Sequence, residues 1–345
     1  MNRQSRGDNM NRVCRTLALG AALLATVLPG LVEAQTAKPS QITVIVFPGG
    51  FNWPIWVGEE QDFFARNGVA VEVTPTPSSV YQLTSLIAGK FDIAETAIDN
   101  LIAYDEGQGE AKVEGSPDLV AVMGGDNGFL NLVTVPAVKS YQELKGRELS
   151  VDALTTGYAF VLQKMLQKSG LKPDDYSLAR AGGVLERFND LIAQKHAGTL
   201  LLSPFEVLAE DKGFHLLGKA TDVLGHYQGL VAAVRRSWAK EHGKELVGYI
   251  RAYREALAWL YDPSHKPEAL AILRKHVPAM SEPLADASYR ILLDPTQGFA
   301  RDAGVDLEGV RTVLRLRTEY GRPEKTLDDP SKYIDLTYYK AAASK

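Results

Sequence analysis

From Gln41 to Arg235 short β-rich runs alternate with capped helical segments, and this alternation leaves few folds open. "ITVIVF" (42–47) precedes the helical "IWVGEEQDFFARNG", whose Asn67-Gly68 pair is a stop signal. "VAVEVTP", the Ser-capped "SSVYQLTSLIAGK", "FDIAET", the helical "AIDNLIAYDEG" and the strand "LVAVM" follow. A second cycle runs through "FLNLVTV", "ELSVDA", "TTGYAFVLQKMLQKSG", "YSLARA", "VLERFNDLIAQKH", "TLLLS" and "PFEVLAEDKG". After "LVAAVRR" (230–236) the pattern is helical from Trp238 to about Lys325. Alternating elements predict an α/β fold with parallel-type sheets covered by helices on both faces. Two cycles predict two α/β lobes, with the helical C-terminal third packed against them.

The 345 residues are 45% hydrophobic and 23% charged, enough apolar material for a sizeable core. Residues 1–34 stand apart. Arg3, Arg6, Arg12 and Arg15 precede the apolar "TLALGAALLATVL", then a Pro29-Gly30 breaker and "VEA" with small residues before a cleavage point after Ala34. This is the layout of a cleaved secretory signal peptide, and it predicts a periplasmic protein. The alternative, a retained anchor, is disfavoured because the apolar run is short for a bilayer span. Cys14 is the single cysteine and lies in that leader, so the mature chain holds no disulfide, thiolate metal site or cysteine nucleophile. Without the leader's four Arg, Asp8 and Glu33, the 38 basic and 42 acidic residues become 34 and 40, a net charge of −6. Such a chain is a poor nucleic-acid binder. Arg311, Arg315 and Arg317, spaced along one helix, read as a solvated face.

The chain has no H-E-x-x-H, G-x-S-x-G, phosphate-loop or dinucleotide-binding signature, and its six histidines show no metal-ligand spacing. No catalytic residue, metal or cofactor is therefore assigned. In open α/β sheets ligands meet the carboxyl ends of strands. The turns there are "PGGFNWP" (48–54), "TPTPSSVY" (74–81), "ETAIDN" (95–100), "GGDNG" (124–128), "DALTTGY" (152–158), "AGGV" (181–184) and "SPF" (203–205). Small, hydroxyl or aromatic residues recur in them at one topological end. They supply the candidate binding residues Gly50, Phe51, Asn52, Trp53, Ser78, Ser79, Tyr81, Glu95, Thr96, Asp99, Asp126, Thr155, Thr156, Tyr158, Gly183, Pro204 and Phe205. Trp53 is open to two readings, ligand contact or core. Glu95 and Asp99 suit a helix start as well as a site.

The ordered set "ITVIV…W…EEQDFFARNGVAVEV…LTSLIAGKFDIAETAIDN" resembles exported solute-binding proteins of ABC importers, in the taurine, alkanesulfonate, nitrate and thiamine-precursor branch. The positions carrying the likeness are Phe63, Phe64, Gly68, Val69, Glu72, Leu86, Gly89, Asp92 and Ala94. "SYQELKGRELSVDALTTGYAFVLQKMLQKSGLKPDDY" and "LSPFEVLAEDKGFHLLG" continue it, so that residues 40 to 320 are covered. The resemblance implies a two-lobed Venus-flytrap fold with two chain crossings, near 124–129 and 235–244. Lobe 1 would comprise 40–125 and the helical 241–345, with lobe 2 at 126–240. It implies a monomer that binds a small organic solute between the lobes and delivers it to a permease with a cytoplasmic ATPase. Membrane contact would come only through that permease. A ligand sensor, or an enzyme related to thiamine-pyrimidine synthesis, would use the same scaffold.

The sequence departs from anion-binding relatives at "AETAIDN", where Glu95 and Asp99 would repel a sulfonate or nitrate, and no arginine falls in the turns; Arg180 and Arg187 lie only nearby. The expected ligand is a small, flat or aromatic organic solute, stacked by Phe51, Trp53, Tyr81, Tyr158 or Phe205. Ser78, Ser79, Thr155, Thr156 and helix N-termini would bind its polar groups. If the carboxylates face the cleft, an amine or hydroxyl-rich solute is expected instead.

Overall fold

The computed structural model describes residues 38–344; the predicted signal peptide and Cys14 lie outside them. Ten strands form two five-stranded sheets. The first contains Ser40–Val46 (β1), Val69–Pro75 (β2), Ile93–Ala97 (β3) and Leu119–Gly124 (β4). The second contains Asn131–Thr134 (β5), Arg147–Val151 (β6), Tyr176–Arg180 (β7), Gly198–Leu201 (β8) and His215–Lys219 (β9). Leu230–Arg235 (β10) returns to the first sheet, and the orders are β2-β1-β3-β10-β4 and β7-β6-β8-β5-β9. This is the two-lobed periplasmic-binding-protein architecture.

Two expectations are corrected. Each sheet is mixed rather than parallel: β10 runs antiparallel to β3 and β4, and β5 antiparallel to β8 and β9. The reason is where the chain enters. β4 leaves the first sheet at Gly124, and β10 re-enters beside it with Val231 opposite Gly124, so it must run the other way. β5 likewise starts where β9 ends, with Asn131 opposite Lys219. The return crossing therefore precedes Leu230 and does not lie at 235–244, because all of β10 belongs to the first sheet.

β1 shows how the sequence selects these elements. Ile42, Val44, Ile45 and Val46 are buried between helical layers, and the branched run suits a two-sided strand. The predicted first helix is broken into Trp53–Glu60 and Phe63–Arg66, with Asp62 between them in the left-handed region at φ 56°. Both pieces pack on the long helix Gly243–Leu260. The helix Leu307–Tyr320 touches helices of both lobes, Ile98–Asp105 and Gly157–Lys168. Arg317 on it is fully buried, so the predicted solvated face holds for Arg311 but not here. Leu307–Tyr320 packs edge-on between two helices and turns this position inward.

Trp53 resolves in favour of core. It is wholly buried, donates Nε1–H to the Ala269 carbonyl at 3.2 Å and meets Tyr289 edge-on at 5.9 Å. Trp53→Ala should lower unfolding stability by about 3–5 kcal/mol, measured by denaturant titration. A loss below about 1 kcal/mol would contradict a core role.

Candidate functional site

The carboxyl ends of β1, β2, β3, β6, β7 and β8 face one another, and the turns beyond them meet across the interlobe cleft. Gly50 N–H donates to the Ser203 carbonyl at 3.1 Å, Gly183 N–H to the Pro77 carbonyl at 2.7 Å, and Ser79 N–H to Asp152 Oδ2 at 3.0 Å. The deepest tie is a buried ion pair. Arg317 Nη1 reaches Asp99 Oδ1 at 2.7 Å, and both side chains are essentially unexposed. Asp99 Oδ2 accepts the Gly157 N–H from the second lobe, and Arg317 Nη2 donates to the Thr155 carbonyl at 3.2 Å. A Cβ on Gly157 would sit 2.2 Å from the Asp99 carboxyl carbon, which is why glycine stands there. Burial pushes the Asp99 carboxyl up, and Arg317 and the Gly157 N–H pull it back.

Between these ties lies a cavity walled by both lobes and by the crossings. Phe47, Phe51 and Tyr158 give it aromatic surface; Asn100, Asp126, Asp152, Thr156 and Arg187 give it polar groups; Ala97, Val184, Leu202 and Leu230 complete it. It is narrow, with about 40 Å³ open to the centre of a water-sized sphere. That is room for about three waters or a small solute.

Of the sequence candidates, Phe51, Asp126, Thr156 and Tyr158 line this cavity. Gly50, Ser79, Thr155 and Gly183 instead make the lobe-to-lobe contacts, and Pro204 follows a cis peptide beside Ser203. Two buried residues act one step back. Asn52 Nδ2 donates to the Phe47 carbonyl at 2.6 Å and fixes the turn that presents Phe47, and Thr96 Oγ1 accepts from Asn100 Nδ2 at 3.0 Å. The remainder are corrected. Trp53 is core. Phe205 is buried against Phe188, with centroids 5.2 Å apart, because its helix turns it into the second lobe. Ser78 caps its helix by accepting the Tyr81 N–H at 3.2 Å, and Tyr81 is 45% exposed on the outer face.

Glu95 and Asp99 do not face the cavity either, which removes the repulsion that argued against an anion. Asp99 is neutralised by Arg317. Glu95 points under the first sheet, where its Oε1 accepts from Tyr249 Oη at 2.8 Å and its Oε2 accepts nothing. Sequence reasoning missed Phe47, Asn100, Asp152 and Arg187. The first three lie in or beside turns it had singled out. Arg187, judged merely nearby, is carried inward by the helix Val184–Ile192 and is 3% exposed. Its Nη1 donates to the Gly182 carbonyl at 2.9 Å and its Nη2 to the Leu200 carbonyl at 3.2 Å. Among the described residues no three His, Cys, Asp or Glu side chains gather to hold a metal ion.

Asp126 stands at the junction of the crossings. Its Oδ1 accepts N–H from Gly128 at 2.8 Å and from Leu230 at 3.2 Å, so one carboxylate ties the outgoing chain to the returning one. Gly229 is required beside it, since a Cβ there would lie 2.1 Å from Oδ1. Burial raises the Asp126 carboxyl to about 6 despite those two N–H groups. Burial likewise raises Glu95 to about 7, opposed by the Tyr249 hydroxyl and assisted by the Asp126 charge. A raised carboxyl holds its proton in the folded state after the unfolded chain has released it. The stability Glu95 contributes is therefore complete below its unfolded value and lost as pH rises through about 7. From the shift, the loss by about pH 9 is on the order of 3 kcal/mol. Glu95→Gln keeps an oxygen for Tyr249 and removes the charge. Its stability relative to the parent should rise by about that amount between roughly pH 4 and pH 9, and a pH-independent difference would refute the buried titration.

Comparison with known proteins follows the same lines. The family model described as NMT1/THI5 like matches residues 52–266, more than half of the chain. No curated protein matches. Among solved structures, the ligand-binding component of an ABC-type import system from Staphylococcus aureus, with zinc bound, superposes with TM-score 0.70 at 15% identity, covering 88% of this chain and 99% of that one. The periplasmic nitrate-binding protein NrtA from Synechocystis gives TM-score 0.68 at 13% identity, covering 89% of each chain. The periplasmic aliphatic sulphonate binding protein SsuA from Escherichia coli gives 0.63 at 18%, covering 88% of this chain and all of that one. At these identities the likeness is one of fold. With most of its length matched by that family model, and with the two-lobed architecture to go with it, the chain belongs to the NMT1/THI5-like family.

Proposed function

We propose that this protein is an exported solute-binding component of an ABC importer, which captures a small organic solute between its lobes and hands it to a membrane permease driven by a cytoplasmic ATPase. The observation that carries the reading is the composition of the cavity wall. Its residues come from the first lobe (Phe51, Asn100), the second (Thr156, Arg187) and the crossing itself (Asp126). A solute there touches every part that moves when the lobes part. Occupancy and closure are then a single event, and the closed outline is what a permease can recognise. Similarity to ligand-binding components of import systems supports the same reading. The role asks for binding and hinge closure without bond chemistry, by a monomer in the periplasm that meets the membrane only through its permease.

The test is a thermal-shift screen of the 35–345 chain against a broad library of anionic, neutral and cationic solutes, followed by small-angle scattering with each hit. A solute at 100 times its Kd should add about 2.7 kcal/mol of stability and reduce the radius of gyration. Turnover of a solute, or a broad library in which nothing stabilises the protein, would sink the reading.

A further inference from the structure

The charges that line the cavity are unevenly partnered. Arg187 is held by two backbone carbonyls and makes no ion pair among the described residues. Two of its five N–H groups are spent there, which leaves three without an acceptor among the described residues. Asp152 spends Oδ2 on Ser79, while its buried Oδ1 accepts nothing. Burial pulls the Arg187 guanidinium down, and the Asp152 charge is the foremost one opposing it, so Arg187 has an acid of the protein near it. Asp126 has no such counterpart. It is 1% exposed; burial pushes its carboxyl up, two backbone N–H groups pull it back, and the titratable acid that faces it, Glu95, is no cation. Its Oδ1 is committed to Gly128 and Leu230, while Oδ2 takes no hydrogen bond among the described residues. A buried carboxylate without a cation is costly unless a ligand supplies one. Phe47, Phe51 and Tyr158 line the same cavity, and aromatic rings favour a cation.

We infer that the solute is a small organic cation: a protonated nitrogen meets Asp126 Oδ2, and an oxygen acceptor at its other end meets the free N–H groups of Arg187. The inference rests on the solute-binding reading above and narrows its ligand class. Asp126 becomes the specificity-determining residue. Because it also ties the two crossings, a cation seated on it bears directly on the hinge. A lone inorganic anion would satisfy Arg187 and leave Asp126 uncompensated.

The experiment compares two probe panels by isothermal titration on the 35–345 chain. One panel holds ethanolamine, 3-aminopropanol and 4-aminobutanol; the other holds acetate, ethanesulfonate and nitrate. At least one amine should bind, and Asp126→Asn, which retains Oδ1 for Gly128 and Leu230, should weaken it at least about tenfold. Should that variant fail to fold, the parent protein carries the test through pH. The groups facing Asp126 are Glu95 on β3, Tyr253 on the long helix, Tyr158 on the helix Gly157–Lys168, and Tyr227 beside the return crossing. Burial pushes all three tyrosines well above their ordinary values, so only Asp126 and Glu95 change charge near neutrality. Protonating either removes negative charge, so amine affinity should fall by about tenfold per pH unit below about 6.

Anions binding while amines do not, amine affinity unchanged by Asp126→Asn, or amine affinity level from about pH 5 to 7 would each overturn the inference. If the broad library yields a ligand but the amine panel does not, the cation class falls and the binding-protein reading stands. If nothing in the library binds, both fall.

Discussion

The meeting of the two lobes is organised around one buried ion pair. Arg317 comes from the helix Leu307–Tyr320, Asp99 from the first lobe, and the Gly157 N–H that completes the carboxylate's shell comes from the second lobe. Taking both charges out of water is expensive and is offset only because nearly every donor and acceptor is used. Arg317 gives Nε–H to Gln108 Oε1 at 2.9 Å and Nη2–H to the Thr155 carbonyl, and its guanidinium lies 5.1 Å over the Phe160 ring. The planar fork of arginine can make these contacts together, whereas a lysine ammonium cannot. Lobe separation would strip Gly157 and Thr155 from the cluster while leaving Arg317 and Asp99 together. The pair thus survives opening, and the second lobe gains its share only on closing.

The cavity lies next to this cluster, and Tyr158 in its wall feels the charges of both Asp99 and Asp126. Asp99 is answered within the protein, whereas Asp126 is answered only by backbone. Two acids a short way apart in sequence therefore differ in their partners among the described residues: Asp99 has a cation and a second-lobe N–H, and Asp126 has backbone N–H groups alone. Asp126 sits where β4 hands over to the first crossing, and Gly229 lets the returning chain come up against it. On the proposed function, a carboxylate placed on the hinge rather than on a lobe would couple its occupancy to the angle between lobes.

Much of the architecture was legible because it follows local pattern. The alternation of strands and capped helices, the Asn67-Gly68 stop and the Ser78 cap each depend on neighbours in sequence, and the structure shows the cap formed. The parallel-sheet expectation failed at β5 and β10, since strand direction there is set by where a crossing delivers the chain. The turns were found correctly as turns, and Phe51, Asp126, Thr156 and Tyr158 in them reach the cavity. Within each turn, however, residue type does not say which side chain looks inward. Phe47 faces the cavity and Trp53 the core, although both belong to "FPGGFNWPIW".

Charge was the least legible feature. Glu95 and Asp99 read as a pair of free acids at a helix start, yet one is bonded to Tyr249 and the other to Arg317, partners 154 and 218 residues away. Arg187 read as a bystander and is a cavity wall. The sequence by itself determined the α/β alternation, the two cycles and the end of each lobe where a ligand would sit, because periodicity and turn chemistry act over a few residues. Only the tertiary structure decided which acids meet a cation or a hydroxyl within the protein and which meet backbone alone. That depends on partners brought together by packing, and such partners leave no trace in local spacing.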